Sequence, residues 1–352
     1  MCEFDMKFIH ISDIHLADKL DFDSSYSKLI RKIKWDSFEK ILNENKDVDF
    51  LLISGDLFER DYFSLKDYQK LFQIFEEFSK NIYYLCGNHD YIDSKNEIFF
   101  SDKPKNLHIF SSEKFDFFEY ENVRIYGISY NDRIFDKNFN YNIRLDYNFY
   151  NIFLGHGEFN QNNSTYMNLD LEKIKNLKFD YVGLGHIHKR EEFFKNIFYV
   201  GSIEPFSFKD KGNFGYNLVD DYGINFIDSS QMSFKSLKID LNNFENFYEL
   251  EKYLANLLDK KYNFLAINLS NYDKFAFDEK SLKENLDITY LKINREKSID
   301  YYENLGKIYE SSLLGDFYKN VKDLDMEDPI NKRCLEIGFD AILRSKDEQD
   351  FY

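Results

Sequence analysis

From Met6 onward the chain alternates short apolar runs with longer stretches in which apolar residues return every three or four positions. Met6 to Ser12 reads as a strand that ends in polar residues. Tyr26 to Asn45 carries Leu29, Ile30, Ile33, Phe38, Ile41 and Leu42 at helical spacing, which places Lys28, Arg31, Lys32 and Lys34 elsewhere on the cylinder. Val48 to Ser54 predicts the next strand, Leu65 to Ser79 a second helix, and Ile82 to Cys86 a third strand. This β-α-β-α-β order implies stacked strands with helices outside.

Two further buried-type runs, Asn151 to Leu154 and Tyr181 to Leu184, again end in Gly and His. Between Leu107 and Ile128, and from Phe193 to Ile227, shorter apolar runs alternate with turn residues and predict a second, more antiparallel sheet. The expected fold class is therefore α/β, a two-sheet sandwich flanked by helices. After about Asp228 the pattern changes to strand, helix, strand, helix, strand: Phe234 to Asp240, Phe247 to Leu258, Phe264 to Leu269, Glu279 to Leu286 and Ile288 to Ile293. Residues 301 to 345 then read as wholly helical, with Pro329 between two late helical stretches. The expected division is 1–230 for the main domain and 231–352 for a smaller αβ module with a helical end. No internal repeat or Gly/Ser-rich linker separates them.

Composition narrows the classes. The chain has 46 Lys plus Arg against 63 Asp plus Glu, a formal charge of −17, and such a surface repels nucleic acid in general. That weighs against a DNA-binding module acting alone, and less against an enzyme whose cations invert the local field where phosphate must sit. The 38 Phe and 27 Tyr are read as compositional bias rather than as stacking platforms. Cys2, Cys86 and Cys334 are scattered without metal-ligand spacing, which fits a reducing compartment. Met1 to Lys7 carries Glu3 and Asp5 and no basic-then-apolar leader pattern, and no apolar run approaches a membrane span, so a cytoplasmic location without membrane contact is expected.

Five polar clusters stand just after predicted strands: Asp13-Ile14-His15, Gly55-Asp56-Leu57, Gly87-Asn88-His89-Asp90, Gly155-His156-Gly157 and Gly185-His186-Ile187-His188. In a layered α/β fold the C-terminal ends of central strands share one edge, so groups far apart in sequence converge there. Each cluster taken singly has an ordinary structural reading, since Gly, Asn and Asp favour turns and a solitary His is commonly a buried hydrogen-bonding group. His186 and His188, at alternate positions, would point the same way from an extended segment. The joint pattern is harder to explain structurally, because five of the seven histidines fall in these clusters. His10, inside the first strand, and His108 read as structural, with His10 close enough to support the site. All the donors are oxygen or imidazole and none is thiolate, a mixture that suits manganese, iron or zinc rather than calcium. Two cations sharing one carboxylate would sit roughly 3.5–4 Å apart.

The order and spacing of DIH, GDLF, GNHD, GHG and GHIH resemble the calcineurin-like metallophosphoesterase superfamily. Within it, FIHISDIHL, VDFLLISGDLF and YVGSIEPFSF resemble the SbcD-type DNA repair nucleases, most nearly their bacterial YhaO branch, and FLAINLS and CLEIGFDAIL look like that branch's capping region. The resemblance implies two divalent metal ions, manganese foremost with iron, zinc or magnesium as alternatives. It puts Asp13, His15, Asp56 and His188 around one and Asn88, His156, His186 and the shared Asp56 around the other. It makes His89 a phosphate-facing catalytic residue rather than a ligand, with His10, Glu59 and Asp90 behind the donors. Glu59 stands where archaeal and eukaryotic relatives carry a second histidine, which bears on the exonuclease step.

The implied function is phosphodiester hydrolysis, as a DNA exo- or endonuclease in DNA repair. The implied partners are DNA and a coiled-coil SMC-like ATPase of the SbcC or YhaN type, with a homodimer as the assembly of the relatives. No phosphate-cradling glycine loop is present, so ATP dependence would come from that partner. The docking surface is expected on Tyr301 to Lys322 and Lys332 to Leu343, through Leu305, Ile308, Tyr309, Leu313, Phe317, Leu335, Ile337, Phe339 and Ile342, unless these residues close the module's own core. A cytoplasmic metallophosphatase or small-molecule phosphodiesterase is the alternative. A scaffold without metal is disfavoured because every ligand position is filled.

Overall fold

The computed structural model describes residues 6–19, 22–93, 97–135, 139–271, 279–295, 299–326 and 328–347. Cys2 and the acidic Glu3 and Asp5 of the leader argument lie outside the described residues. Strand β1 (Phe8–Ile11) leads through α1 (Ser24–Glu44) to β2 (Phe50–Ser54), and α2 (Leu65–Phe78) leads to β3 (Asn81–Leu85). These three strands are parallel neighbours, and β4 (Leu107–Ile109) adds in parallel on β3. Next come β5 (Asp116–Tyr120), β6 (Val123–Gly127), β7 (Tyr150–Phe159), β8 (Met167–Leu169), α3 (Leu171–Leu177) and β9 (Tyr181–Gly185). β10 (Glu191–Phe194), β11 (Ile197–Tyr199), β12 (Gly215–Asp220) and β13 (Gly223–Asp228) complete two sheets, ordered β13-β12-β1-β2-β3-β4 and β10-β11-β9-β7-β6-β5, with β8 on β7.

The period-two alternation of each strand builds three layers of core. On β1, Ile9 and Ile11 face α1 and α2 in a cluster with Trp35, Phe38, Ile41, Leu71 and Phe75. Phe8 turns the other way, with Phe50, Leu52, Tyr83 and Leu85, to meet Val123, Ile125, Ile152, Leu154 and Tyr181 of the second sheet. Behind that sheet, Phe153, Val182 and Leu184 pack on Ile174 of α3 and on Phe179. The sandwich is thus a helix layer, two sheets and an outer layer.

Three expectations about the strands are corrected. The second sheet is parallel at its centre, since β6–β7, β7–β9 and β9–β11 all run parallel, and it is antiparallel only at the rims, β5–β6 and β10–β11. The β12–β13 hairpin joins the first sheet, through antiparallel pairing of β12 with β1. Alternation tells which face a side chain takes and not which neighbour its strand pairs with. Finally, β7 does not end before His156 but runs on to Phe159, because β8 pairs with its tail at Gly157, Glu158 and Phe159.

By its contacts the chain divides into two compact units, Met1–Phe234 with Lys260–Asn263, and Lys235–Asp259 with Phe264–Tyr352. The second is built on a sheet of β14 (Met232–Asp240), β15 (Tyr262–Ser270) and β16 (Tyr290–Arg295), with α4 (Phe247–Ala255) and α5 (Glu279–Asn285) in the connections. Ile239, Leu250, Leu254, Leu265, Ile267, Leu282 and Ile288 form its core. The helical end is three helices, α6 (Ile299–Ile308), α7 (Leu313–Val321) and α8 (Pro329–Asp347), so the expected continuous helix over Tyr301 to Lys322 is broken. Ser312 caps α7 by accepting from Leu314 N at 3.2 Å, and Pro329 opens α8, where its missing N–H costs nothing. Leu305, Phe317, Leu335, Phe339 and Ile342 gather with Tyr302 and Leu314 in a core of their own, whereas Ile308, Leu313 and Ile337 are exposed. No described helix is long and apolar enough to cross a membrane.

Candidate active site

The site is built on loops that leave β1, β2, β3 and β9 at their C-terminal ends and on the inward face of β7. His156 shares the parity of Ile152 and Leu154, so it points between the sheets and is fully buried. The β1 and β2 loops run side by side, with Asp13 N, His15 N and Leu16 N donating to the carbonyls of Gly55, Asp56 and Leu57 at 3.1, 3.0 and 2.9 Å. Asp13, His15, Asp56 and His186 all take positive φ, of 50°, 49°, 52° and 90°. Four non-glycine residues in that region at one edge is the stored strain typical of a functional site. Gly55, at φ 90°, has no alternative, because a Cβ there would lie 2.2 Å from His156 Nδ1.

These loops bring the predicted donors together in two groups, Asp13, His15 and His188, and Asp56, His156 and His186. A third group joins His15 and Asp56 to His89, which was expected to face the phosphate rather than bind metal, and in each group the nitrogen or oxygen atoms lie within 4.8 Å of one another. Asp56 Oδ2 lies 3.6 Å from His15 Nε2 and 3.1 Å from His156 Nε2, so one carboxylate oxygen stands between the two sides of the site. Asn88 Oδ1 is 3.1 Å from His156 Nε2. His186 and His188 do not point the same way, as extended backbone would require. The positive φ of His186 turns its ring toward Asp56 and His156, while His188 joins Asp13 and His15.

The donor set fits divalent cations on evidence of its own. His15 Nδ1 is held by Glu59 Oε1 at 2.7 Å, and its Nε2 is buried with no hydrogen-bond partner. Leaving a buried ring nitrogen unsatisfied is costly unless something else binds it. On the other side, His156 Nδ1 donates to the Ser54 carbonyl at 2.9 Å, which leaves Nε2 as its donor nitrogen toward Asp56 and Asn88.

Burial opposes the charge on Asp56, but the His156 charge and hydrogen bond, with His15 and His89, hold its carboxyl far below the usual range. Burial disfavours protonation of His156 too, yet Asp56 outweighs it and raises that imidazole to about 9. Burial and then the His156 charge lower His186 to about 4, and burial and then the His15 charge lower His188 to about 3, so both are neutral donors. Desolvation works against a protonated His89 as well, but its Glu59 hydrogen bond and the Asp56 charge raise it to about 9.

The three supporting positions take distinct places. Glu59 Oε1 reaches Nδ1 of both His15 and His89 at 2.7 Å, tying a predicted ligand to the predicted phosphate-facing ring. Asp90 accepts from Leu57 N and Gly87 N at 2.6 Å and from Tyr84 Oη at 2.5 Å, which locks the β2 and β3 loops together. His10 bridges the sheets through Tyr181 Oη at 2.9 Å and Ser54 Oγ at 2.8 Å, and burial lowers it to about 3. It reaches the site through Ser54, whose carbonyl accepts from His156 Nδ1. His108 bonds Asn81 Oδ1 at 3.0 Å, away from the donors.

Lys34 corrects the reading of α1. It is fully buried, with Nζ 3.5 Å from Asp18 Oδ2, 3.4 Å from the His15 carbonyl and 3.8 Å from the centre of the Phe206 ring. The signal was present, since position 34 falls four after Ile30 and four before Phe38 on the apolar face. Phe206 packs against His188 and His15, with ring centres 4.4 and 5.0 Å apart. Glu158 and Tyr166 flank His186, at 3.4 Å and with ring centres 4.2 Å apart. The donor clusters did not mark Phe206, Glu158 or Tyr166 as part of the site.

Residues 6–190, a little over half of the 352-residue chain, match the family model of calcineurin-like phosphoesterases, and the chain belongs to that family. The uncharacterized metallophosphoesterase YhaO of Bacillus subtilis (strain 168) is 31% identical over 237 residues, which cover 61% of this chain and 57% of that relative. The chain thus spans little more than half the length of that curated relative. The crystal structure of TT1561 of Thermus thermophilus is similar over 64% of this chain and 99% of that one, with TM-score 0.39 and 12% identity.

Proposed function

We propose that the protein is a metal-dependent phosphodiesterase acting on DNA, an exo- or endonuclease in DNA repair. The observation that carries the phosphoesterase part is Asp56 Oδ2, standing between His15 Nε2 and His156 Nε2 at 3.6 and 3.1 Å. Asp13, His15, His188 and Asp56 would hold one cation, and Asp56, Asn88, His156 and His186 the other. When bound, two such ions acidify water for attack near neutral pH and neutralise the phosphate oxygens.

The chain's own residues supply the rest. Glu59 fixes Nδ1 of His89, so Nε2 is the nitrogen free to face a phosphate. Hydrogen-bonded through Nδ1 to the Glu59 carboxylate at 2.7 Å, His89 can present Nε2–H to the leaving oxygen and give it a proton or stabilise the charge there. His89 N donates to Asp56 Oδ1 at 2.9 Å, so the donor and the shared carboxylate are set by one backbone contact.

DNA as substrate and an SMC-like coiled-coil ATPase as partner are supported by the likeness of FIHISDIHL, VDFLLISGDLF and YVGSIEPFSF to SbcD-type nucleases. The net charge of −17 favours the second reading, a phosphatase or small-molecule phosphodiesterase, because it opposes unaided DNA binding. A substrate panel separates them: with manganese supplied, labelled oligonucleotides and plasmid are compared with bis-p-nitrophenyl phosphate and a monoester. Cleavage of oligonucleotide and diester with little monoester turnover is expected. Preference for the monoester sinks the nuclease reading.

A further inference from the structure

Phe206 belongs to a loop that the proposed chemistry leaves unused. The loop departs and returns at one point beside the site, since Ser202 N donates to the His188 carbonyl and Gly215 N to the Ser202 carbonyl, both at 3.0 Å. From beneath it is moored by Phe206 on the His15 and His188 rings, and by Phe208 against Phe234, ring centres 5.2 Å apart. Its one turn is knotted by Asp210, whose Oδ2 accepts from Phe206 N at 2.8 Å and Ser207 N at 2.9 Å. The acid in the turn is therefore engaged with backbone donors, while Lys209 and Lys211 on either side of it are exposed.

A third cation joins them. Lys189 follows His188 directly, is exposed, and places its Cγ 3.9 Å from where a side chain on Gly212 would begin. Among the described residues none of these three lysines meets a carboxylate within ion-pair distance, in a chain where many lysines do. Three cations without an ion-pair partner, against the single carboxylate of Asp210 in the same turn, leave an excess of positive charge on the loop that Phe206 moors to the His15 and His188 rings, on a protein of charge −17.

We propose that Lys189, Lys209 and Lys211 grip the sugar–phosphate backbone of a DNA strand on the His15–His188 side of the site, beyond the phosphate being cut. Such contacts carry no sequence information but set the register of the strand and raise affinity through counterion release. Mooring to the ligand rings fixes their distance from the cut. This inference rests on the nuclease reading and specifies its substrate as a polymer that extends past the scissile bond.

The test replaces Lys189, Lys209 and Lys211 with Ala together, and compares this variant with one in which Lys46, Lys105 and Lys178 are replaced. The control lysines are exposed and precede β2, β4 and β9, at the opposite ends of those strands. For each protein, kcat/KM is measured on a single-stranded oligonucleotide and on bis-p-nitrophenyl phosphate across a salt series. The loop variant should lose roughly tenfold or more in oligonucleotide-to-diester preference, and its log–log salt slope on the oligonucleotide should flatten by about 2 for three lost contacts. The control should shift neither by more than about twofold. Equal behaviour of the two variants overturns the grip while leaving the nuclease reading intact. Wild-type protein that turns over the small diester but no polynucleotide removes both.

Discussion

The two compact units use polar residues in opposite ways. In the first, His10, Asp13, Asp56, Asn88, Asp90 and His156 are buried, and each has named partners. In the second, no polar or charged residue is buried among the described residues, and the cores gather Leu250, Leu254, Leu265 and Ile267 in one and Tyr302, Leu314, Leu335 and Phe339 in the other. Burying charge is costly, and the first unit accepts that cost where donors converge, alongside strained backbone at four donor residues. The second is stabilised by ordinary packing and leaves Ile308, Leu313 and Ile337 exposed. The contrast marks the first unit as the place of chemistry. It leaves the second as a packing module whose exposed apolar residues keep the docking proposal open to test.

The largest expected effect strikes the shared carboxylate. Asp56→Ala should reduce diester hydrolysis by more than the ~10²–10³ typical of losing one transition-state donor, because both donor groups lose an oxygen. Elemental analysis should show fewer than two bound metals, and a variant that still binds two tightly would break the bridging assignment. Chelator should abolish wild-type activity and manganese restore it; full activity in chelator would end the two-metal reading.

Next comes His89→Gln, expected to keep both metals and lose roughly 10²–10⁴ in rate. Metal content measured alongside kcat decides the point, since loss of an ion in this variant would make His89 a ligand.

The second unit should respond through stability instead. Phe339 is fully buried, so Phe339→Ala should cost about 3–5 kcal/mol in the three-helix core while the small-diester rate holds. Thermal unfolding and limited proteolysis over residues 299–347 report it. Comparable loss of diester hydrolysis would contradict the division of labour between the units. Truncation after Ser298 sharpens the same contrast: under docking, the shortened enzyme stays folded and active on a small diester but no longer co-purifies with the ATPase. An insoluble or inactive product points to a core role, and an undiminished complex excludes this docking site.

The smallest effect is on pH. Glu204 is buried and accepts from Gln231 N at 2.7 Å and Met232 N at 3.0 Å, yet burial outweighs these bonds and raises it from 4.5 to about 7. The native state therefore holds a proton that the unfolded chain releases above 4.5, so stability falls as pH rises from 4.5 through about 7, by at most about 3 kcal/mol. Glu204→Gln should flatten that slope in denaturant unfolding at several pH values. An unchanged slope would mean that Glu204 is charged in the fold at neutral pH.

What the sequence alone determined was local and periodic. Strand and helix existence in β1, β2, β3, α1 and α2 followed from apolar spacing, because periodicity reports the face a residue must bury. The donor clusters were legible because Asp, Asn and His beside Gly after apolar runs are chemically unusual in combination, and the parallel β-α-β order brings strand ends to one edge. Tertiary structure alone decided who pairs with whom. The β12–β13 hairpin closed on β1, β7 continued past His156 once β8 paired with its tail, and His186 swung away from His188 on a positive φ. Lys34 went inside because Asp18, the His15 carbonyl and the Phe206 ring were there to receive it. Each of these outcomes depends on a partner distant in sequence or on strain supported by its surroundings, and neither is written in the spacing of one segment.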